Sequence, residues 1–168
     1  LLETSLESIH RNHIDEESHW IELLDRLRGA LPSMVSTWRS RETDHWIHGD
    51  LHFANAMSRT GIQSGPVSLI DLAEVRPGHW LEDAVFLERQ LWALPERLVI
   101  AKPVNAMASA RRRAGLAVVD HWDELAHIRR ALMAGTAPTF IRSEGHPRFF
   151  NACLDQLERS LVALRLRR

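Results

Sequence analysis

The sequence is poor in residues that form covalent or metal-bound cross-links. Its 168 residues include one cysteine, Cys153. A lone cysteine can form no internal disulfide and cannot build a cysteine-based zinc site. Because a single cysteine, most often in an apolar setting, is typical of a reducing compartment, we expect a cytoplasmic protein.

Long apolar runs are also lacking. No stretch approaches the ~18 uninterrupted apolar residues of a membrane span. Residues 1–20 contain five acidic side chains where a signal peptide needs an apolar run. We therefore expect neither export nor a membrane partner. Position 1 is leucine rather than methionine, which is compatible with a start inside a longer polypeptide or with processing.

The chain has no excess of charge of one sign. It carries 21 basic and 22 acidic residues, a net charge of -1 with histidine neutral. No domain-wide positive field exists to hold a phosphate backbone, so we expect no nucleic-acid partner. The arginine run 111–113 is interpreted as a solvated helix face.

Lysine and glycine are scarce where nucleotide binding would need them. Lys102 is the only lysine, and none of the eight glycines forms a G-x-G-x-x-G or G-x-x-x-x-G-K-[ST] loop. A nucleotide-phosphate loop of either kind is thus missing from this sequence.

Hydrophobic residues make up 45% of the chain and charged residues 26%, enough for one well-buried core. Without repeats or linkers, we expect a single domain over 1–168. Apolar residues recur mainly at helical spacing, and Pro32 is expected to interrupt the second helix. The predicted helices cover residues 1–11, 18–31 (capped by Ser18), 34–38, 81–94, 96–100, 103–114, 118–133 and 148–166.

One short region has strand-like composition. Residues 45–48, 55–58 and 67–71 read as strands, the last two joined by the turn-rich residues 60–66. Pro77 and Gly78 predict a loop. The expected fold class is therefore α+β, mainly α-helical, with a small β-hairpin region.

The densest polar cluster falls in this β region. Residues 48–55 read His-Gly-Asp-Leu-His-Phe-Ala-Asn, and Asp71 ends the apolar run 67–70. Two carboxylates and a carboxamide on a loop and a strand end suit Mg²⁺, which prefers a few protein oxygens together with substrate phosphates. Phosphoryl transfer is the chemistry that this combination favours.

These residues resemble the aminoglycoside phosphotransferase and choline kinase-like family, whose loop reads H-G-D-L-H-x-x-N and whose following strand ends in I-D. Residues 78–84 are similar to that family's G-D-P-x-x-D-L-A, with His79 and Trp80 in place of Asp-Pro. The resemblance implies the carboxyl-terminal lobe of a protein-kinase-like fold, formed by the helices before residue 40 and after residue 81.

The resemblance also implies roles for individual residues. Asp50 would be the catalytic base, and Asn55 and Asp71 would be Mg²⁺ ligands. His48 and Asp83 would support the catalytic loop. Contacts to substrate or loop are also expected from three further side chains: Glu74, which stands where the family often has an acidic residue, Trp80, which lies beside the predicted loop, and His52.

The implied reaction uses ATP as phosphoryl donor, Mg²⁺ and a small-molecule hydroxyl acceptor. The acceptor stays open among an aminoglycoside, choline, a sugar and an amino-acid alcohol. The nucleotide-covering amino-terminal lobe is expected to lie outside this sequence, so we expect little activity from the chain alone.

Two other interpretations stay open at this point. The chain could be a non-catalytic helical interaction module derived from such a kinase. Alternatively, His48, Asp50 and His52 alternate, so a strand here would place them on one face as ligands of a metal-dependent hydrolase. Turn formation alone also favours Asp and Asn at these positions.

Overall fold

A computed structural model describes residues 1–58, 66–141 and 146–165. Within these ranges the chain is mainly helical with four short strands, which confirms the α+β prediction. The helices are α1 (Leu2–Asn12), α2 (Glu17–Arg39), α3 (Leu81–Arg89), α4 (Pro95–Ala101), α5 (Pro103–Arg113), α6 (Trp122–Thr136) and α7 (Pro147–Ala163). The strands are β1 (His45–Ile47), β2 (Ala56–Ser58), β3 (Val67–Leu69) and β4 (Arg76–Gly78).

Helix α6 lies at the centre of the helical core and packs most extensively against α7. Its buried face is built from small residues, including Ala131, Ala134 and Gly135, which lets neighbouring helices approach closely. Large side chains of α2 and α7, such as Leu27 and Leu157, fill the space around it. No helix of the described residues is both long and apolar enough to cross a bilayer.

Helix α3 is attached to α6 by a buried ion pair. Arg130 donates from Nε to Glu88 Oε1 at 2.7 Å and from Nη2 to Glu88 Oε2 at 2.8 Å. The indole of Trp92 also donates to Oε1, at 3.4 Å. Two parallel bonds from one guanidinium fix direction as well as distance, so α3 is held in a defined orientation.

The expected break at Pro32 is wrong, because α2 continues through this residue. A proline removes one backbone donor, yet Ala30 on one side and Met34 on the other are both buried. Their burial holds the helix on either side of the missing bond. Ser18 lies inside α2 rather than capping it, and the N-cap residue is Glu16.

The four strands form two antiparallel pairs. Strand β2 pairs with β3, with Ala56 opposite Leu69, which confirms the predicted hairpin, although residues 59–65 of its connection lie outside the described residues. Strand β1 pairs with β4, with Ile47 opposite Arg76. The latter pair contradicts the loop predicted at Pro77, because a ribbon edge tolerates a proline and only the pairing with β1 reveals the strand.

Two helix boundaries also differ from the sequence prediction. Helix α3 ends at Arg89 rather than at residue 94, and α4 begins at Pro95. Helix α6 extends past the predicted end at residue 133 to Thr136, so that it includes Gly135. Gly145 and residues 166–168 lie outside the described residues.

Gly135 provides a test of the close approach between α6 and α2. A Cβ at this position would overlap the Cδ2 atom of Leu27, whose side chain is fully buried. We expect Gly135→Ala to destabilise the protein by about 1–3 kcal/mol through overpacking, measured by urea unfolding.

The matched control is Gly29→Ala in α2, where a Cβ meets no atom within 4 Å. That substitution is expected to stabilise the protein by about 0.5–1 kcal/mol, because alanine loses less backbone entropy in a helix. Equal stabilisation by both substitutions would contradict the packing described for α6.

Candidate active site

The residues 48–55, called here the polar loop, connect β1 to β2. Strand β1 ends at Ile47, and the loop closes with a 3₁₀ turn over Phe53–Asn55. His48 and Asn55 are buried at its two ends, whereas Asp50 and His52 are half-buried between them. Because residues 48–52 form no strand, the premise that His48, Asp50 and His52 share one strand face is wrong.

Asp83 supports the start of the polar loop from below. It lies in the first turn of α3, and its side chain is buried. Its Oδ2 accepts a hydrogen bond from the backbone N–H of His48 at 2.7 Å, and its Oδ1 accepts one from Gly49 at 2.9 Å. One carboxylate therefore satisfies two consecutive backbone donors with charge-assisted bonds.

Gly49 allows the loop to turn against the segment that follows β3. Its φ is +84°, and a Cβ here would overlap the backbone carbonyl oxygen of Glu74. Both features require glycine. Glu74 thus contacts the polar loop through its backbone, while the residue is exposed.

Ile70 joins both ends of the loop to the end of β3. His48 donates from Nε2 to the carbonyl oxygen of Ile70 at 2.9 Å. The N–H of Ile70 donates to the carbonyl oxygen of Asn55 at 3.0 Å. Asp71 follows directly and so lies one residue beyond the position opposite Asn55.

Three side chains with oxygen atoms are the candidate ligands of this site, Asp50 and Asn55 on the polar loop and Asp71 after β3. Asn55 donates from Nδ2 to the carbonyl oxygen of Asp50 at 3.0 Å, so its side-chain oxygen is the group left for a ligand. Asp71 is exposed and has a left-handed backbone, with φ 58°. The Oδ2 of Asp50 lies 3.6 Å from Nε2 of His52.

The sequence reasoning missed Gln90, the residue that follows α3. Its Oε1 accepts a hydrogen bond from the N–H of Phe53 at 3.0 Å, at the far side of the loop from Asp83. The available signal was spacing, since Gln90 follows Asp83 by about two helical turns and shares its helix side.

Trp80 does not line the surface of this site. Its side chain is 4% exposed, with ring centroids 5.7 Å from His79 and 6.0 Å from Trp122. The expectation that Trp80 contacts substrate is therefore corrected. It belongs to the core because the first turn of α3 faces the helices.

His79 and Glu82 form a reciprocal cap at the start of α3. The N–H of Leu81 donates to Nδ1 of His79 at 3.3 Å, and the N–H of His79 donates to Oε1 of Glu82 at 3.0 Å. The arrangement is similar to a capping box, except that the histidine side chain accepts from the second helical N–H rather than the third. Trp80, which follows His79, already has helical backbone angles. The cap explains how His-Trp can stand where the resembling family has Asp-Pro.

Glu82 also joins this cap to two arginines. Its Oε1 accepts from Arg41 Nη2 at 2.8 Å, and its Oε2 lies 3.1 Å from Arg76 Nη2 on β4. Burial alone would raise the pKa of Glu82, but the hydrogen bonds from Arg41 and His79 and the nearby positive charges lower it on balance. The ionised carboxylate therefore links β4 to α3.

A group of His, Asp and Glu side chains close enough together to hold one metal ion lies outside the polar loop. In the part of the chain that the structure describes, one group of three, Glu42, Asp44 and His45, has ligand atoms within 4.8 Å of one another. His48, Asp50 and His52 form no such group. The hydrolase interpretation thus lacks the ligand arrangement on which it depended.

A family model described as "Phosphotransferase enzyme family" matches residues 3–128, which include the polar loop, Asp71 and α3. No curated protein and no solved structure matches the chain significantly.

The two bonds to Asp83 lead to a stability test. Asp83→Ala leaves two backbone donors without their acceptor and is expected to cost roughly 2–4 kcal/mol of unfolding free energy. Thermal melts in EDTA measure this without interference from metal.

Asp71→Gly serves as the control, because glycine adopts the left-handed backbone of this exposed position without strain. It is expected to leave the melting temperature unchanged or raise it slightly. A melting temperature of Asp83→Ala equal to that of the parent would contradict the support of the loop by Asp83.

Burial of His79 predicts a pH dependence of stability. Burial is the main cause that lowers the pKa of His79 to about 4, and the positive charges of Arg41 and Arg111 add to it. The charge of Glu82 raises this pKa, and His45 lowers it further. The unfolded pKa is about 6.5, so the folded state disfavours the proton. The stabilisation that neutral His79 contributes is expected to be fully present above pH 6.5 and to be lost as the pH drops towards 4, by about 3 kcal/mol.

His79→Asn keeps a capping acceptor that does not titrate, so it should lose less stability than the parent between pH 7 and pH 4. His10→Asn, at an exposed position, is the control and should follow the parent. Urea unfolding at several pH values decides the matter. Parallel curves for the parent and His79→Asn would refute the assignment.

Proposed function

Because this chain belongs to the phosphotransferase enzyme family, as the sequence resemblance predicted, we propose that it transfers the γ-phosphoryl group of ATP to a hydroxyl group of a small molecule. The observation that carries this proposal is the immobilised polar loop. Asp83 and Ile70 hold its backbone, while the side chain of Asp50 remains partly accessible to solvent.

In this proposal Asp50 orients the acceptor and receives its proton. The acceptor oxygen forms a bond to the γ-phosphorus as the bond to the β–γ bridging oxygen breaks, which releases ADP. The acceptor's proton passes to a carboxylate oxygen of Asp50. His52, 3.6 Å from that carboxylate, is close enough to contact the same acceptor. Positioning supplies most of the rate in such reactions.

The oxygen donors at the site suit Mg²⁺. The amide nitrogen of Asn55 is already bonded to Asp50, which leaves its oxygen for the ion, and Asp71 contributes an exposed carboxylate. Both are the hard oxygen donors that Mg²⁺ prefers. We propose that these two residues hold the ion, which would neutralise charge on the phosphates of ATP.

A nucleotide-covering lobe is proposed as the partner of an exposed apolar patch. The patch is the β2–β3 ribbon, which has Val67 and Leu69 on one face and Met57 on the other, and these three side chains are 47–60% exposed. All three residues of β3 are exposed, and a two-stranded ribbon is marginal without cover. This patch borders the polar loop, where the nucleotide would lie. The missing phosphate loop in the sequence agrees with cover by a separate lobe.

A non-catalytic interaction module would use the same apolar patch for a protein partner. The presence of Asp50, Asn55 and Asp71 together at one end of a braced hairpin favours catalysis. Binding of Mg-ATP distinguishes the two proposals, since a module without catalytic function has no need of nucleotide.

Substitution of the two aspartates tests the division of roles. Asp50→Asn is expected to lower kcat by roughly 10²–10⁴-fold and to leave the Kd for Mg-ATP within about twofold, because it removes the proton acceptor alone. Asp71→Asn is expected to raise that Kd at least about tenfold through loss of an anionic ligand.

Transfer from ATP to a panel of amino-alcohol, sugar and choline acceptors is measured for the 168-residue chain and for the full product of its reading frame. We expect the chain alone to transfer little. Asp155→Asn on the exposed side of α7 is the control. Equal loss of nucleotide affinity in both site variants, or robust transfer that survives Asp50→Asn, would overturn the proposed roles.

A further inference from the structure

The side chain of Gln90 bonds to the middle of the polar loop. Its Oε1 accepts from the N–H of Phe53 at 3.0 Å, and its Nε2 lies 3.4 Å from the carbonyl oxygen of Leu51. Nε2 is also 3.4 Å from the carbonyl oxygen of Phe86, one turn earlier in α3. The short bond to Phe53 is the strongest of these contacts by geometry.

This set of contacts needs a side chain that has both an acceptor and a donor, as the Gln90 amide has. The N–H of Phe53 requires an acceptor, and the carbonyl oxygens of Leu51 and Phe86 require a donor. A carboxylate lacks the donor and an ammonium group lacks the acceptor. The partners therefore also fix which end of the Gln90 amide faces Phe53.

The segment that Gln90 contacts lies between the two functional ends of the loop. Asp83 holds the backbone at His48 and Gly49, and Ile70 holds it at Asn55. Between them, the loop makes three bonds of its own: the N–H of His52 and the side-chain Nδ2 of Asn55 both donate to the carbonyl oxygen of Asp50, and the N–H of Asn55 donates to that of His52. Gln90 adds an external support to this middle portion.

We propose that Gln90 is a positioning residue that sets the separation of Asp50 and Asn55 by holding residues 51–53 against the end of α3. With Asp83 at the start of the helix and Gln90 at its end, α3 acts as a rigid base for the whole loop. This inference rests on the proposed function for its catalytic consequence, but the support itself is a property of the folded chain.

The test compares three variants of the full 168-residue chain. Gln90→Leu removes donor and acceptor with little change of shape, and Gln90→Glu keeps the acceptor for Phe53. Gln156→Leu is the control, because that glutamine bonds to Ser160 within α7. Amide hydrogen exchange, followed by NMR, reports each loop position separately.

Gln90→Leu should raise the exchange rate of the Phe53 amide at least about tenfold, while the amides of His48 and Gly49, held by Asp83, stay protected. Gln90→Glu should restore protection of Phe53. Gln156→Leu should change none of these rates. An unchanged Phe53 rate in Gln90→Leu would overturn the inference, as would loss of protection across the whole loop and α3, which indicates a general loss of stability.

The catalytic part is measured in the form of the protein that transfers phosphate. Gln90→Leu should lower kcat roughly 10–100-fold with the KM for ATP within about twofold, because misplacement by a fraction of an ångström weakens orientation more than binding. Faster exchange with an unchanged kcat would refute the positioning role. Absence of transfer by the unsubstituted protein would count against the proposed function alone, since the exchange rates still decide whether Gln90 holds the loop.

Discussion

The candidate site depends first on the carboxylate of Asp83 and its two hydrogen bonds to the backbone of the polar loop. Backbone N–H groups at a buried turn need acceptors. Because the loop turns at Gly49 with a positive φ, its N–H groups are not paired in a strand ladder. A single buried carboxylate meets both needs. The position of the loop is consequently set by α3, and so is the position of the candidate site residues that the loop carries.

Helix α3 can serve this purpose because its buried acids are all partnered. Glu82, Asp83 and Glu88 are each less than a tenth exposed. Burial of an ionised carboxylate is costly unless it is paired and hydrogen-bonded. Glu88 accepts two hydrogen bonds from Arg130 of α6. Glu82 forms ion pairs with Arg41, which follows α2, and with Arg76 on β4. The same residues thus neutralise charge and fix α3 against the helical core and β4.

The β region contrasts with this well-satisfied helix. The hairpin of β2 and β3 carries Asn55 at one end of its register, yet most of its apolar residues are exposed. Apolar side chains clustered on one exposed ribbon commonly mark a surface that another element covers. The candidate site therefore combines a rigid base on α3 with an open side.

The sequence by itself determined the features that depend on local order. The spacing of His48, Asp50, Asn55 and Asp71, the hairpin of β2 and β3, and most helices follow from motifs and periodicities within short windows. Tertiary contacts decided the rest. Strand β4 exists through pairing with β1, α2 continues through Pro32 because both sides are buried, and Trp80 faces the core because α3 packs against α6. The hydrogen bond from the N–H of Phe53 to Gln90 joins residues far apart in sequence, and only the folded path of α3 beneath the loop brings them into contact.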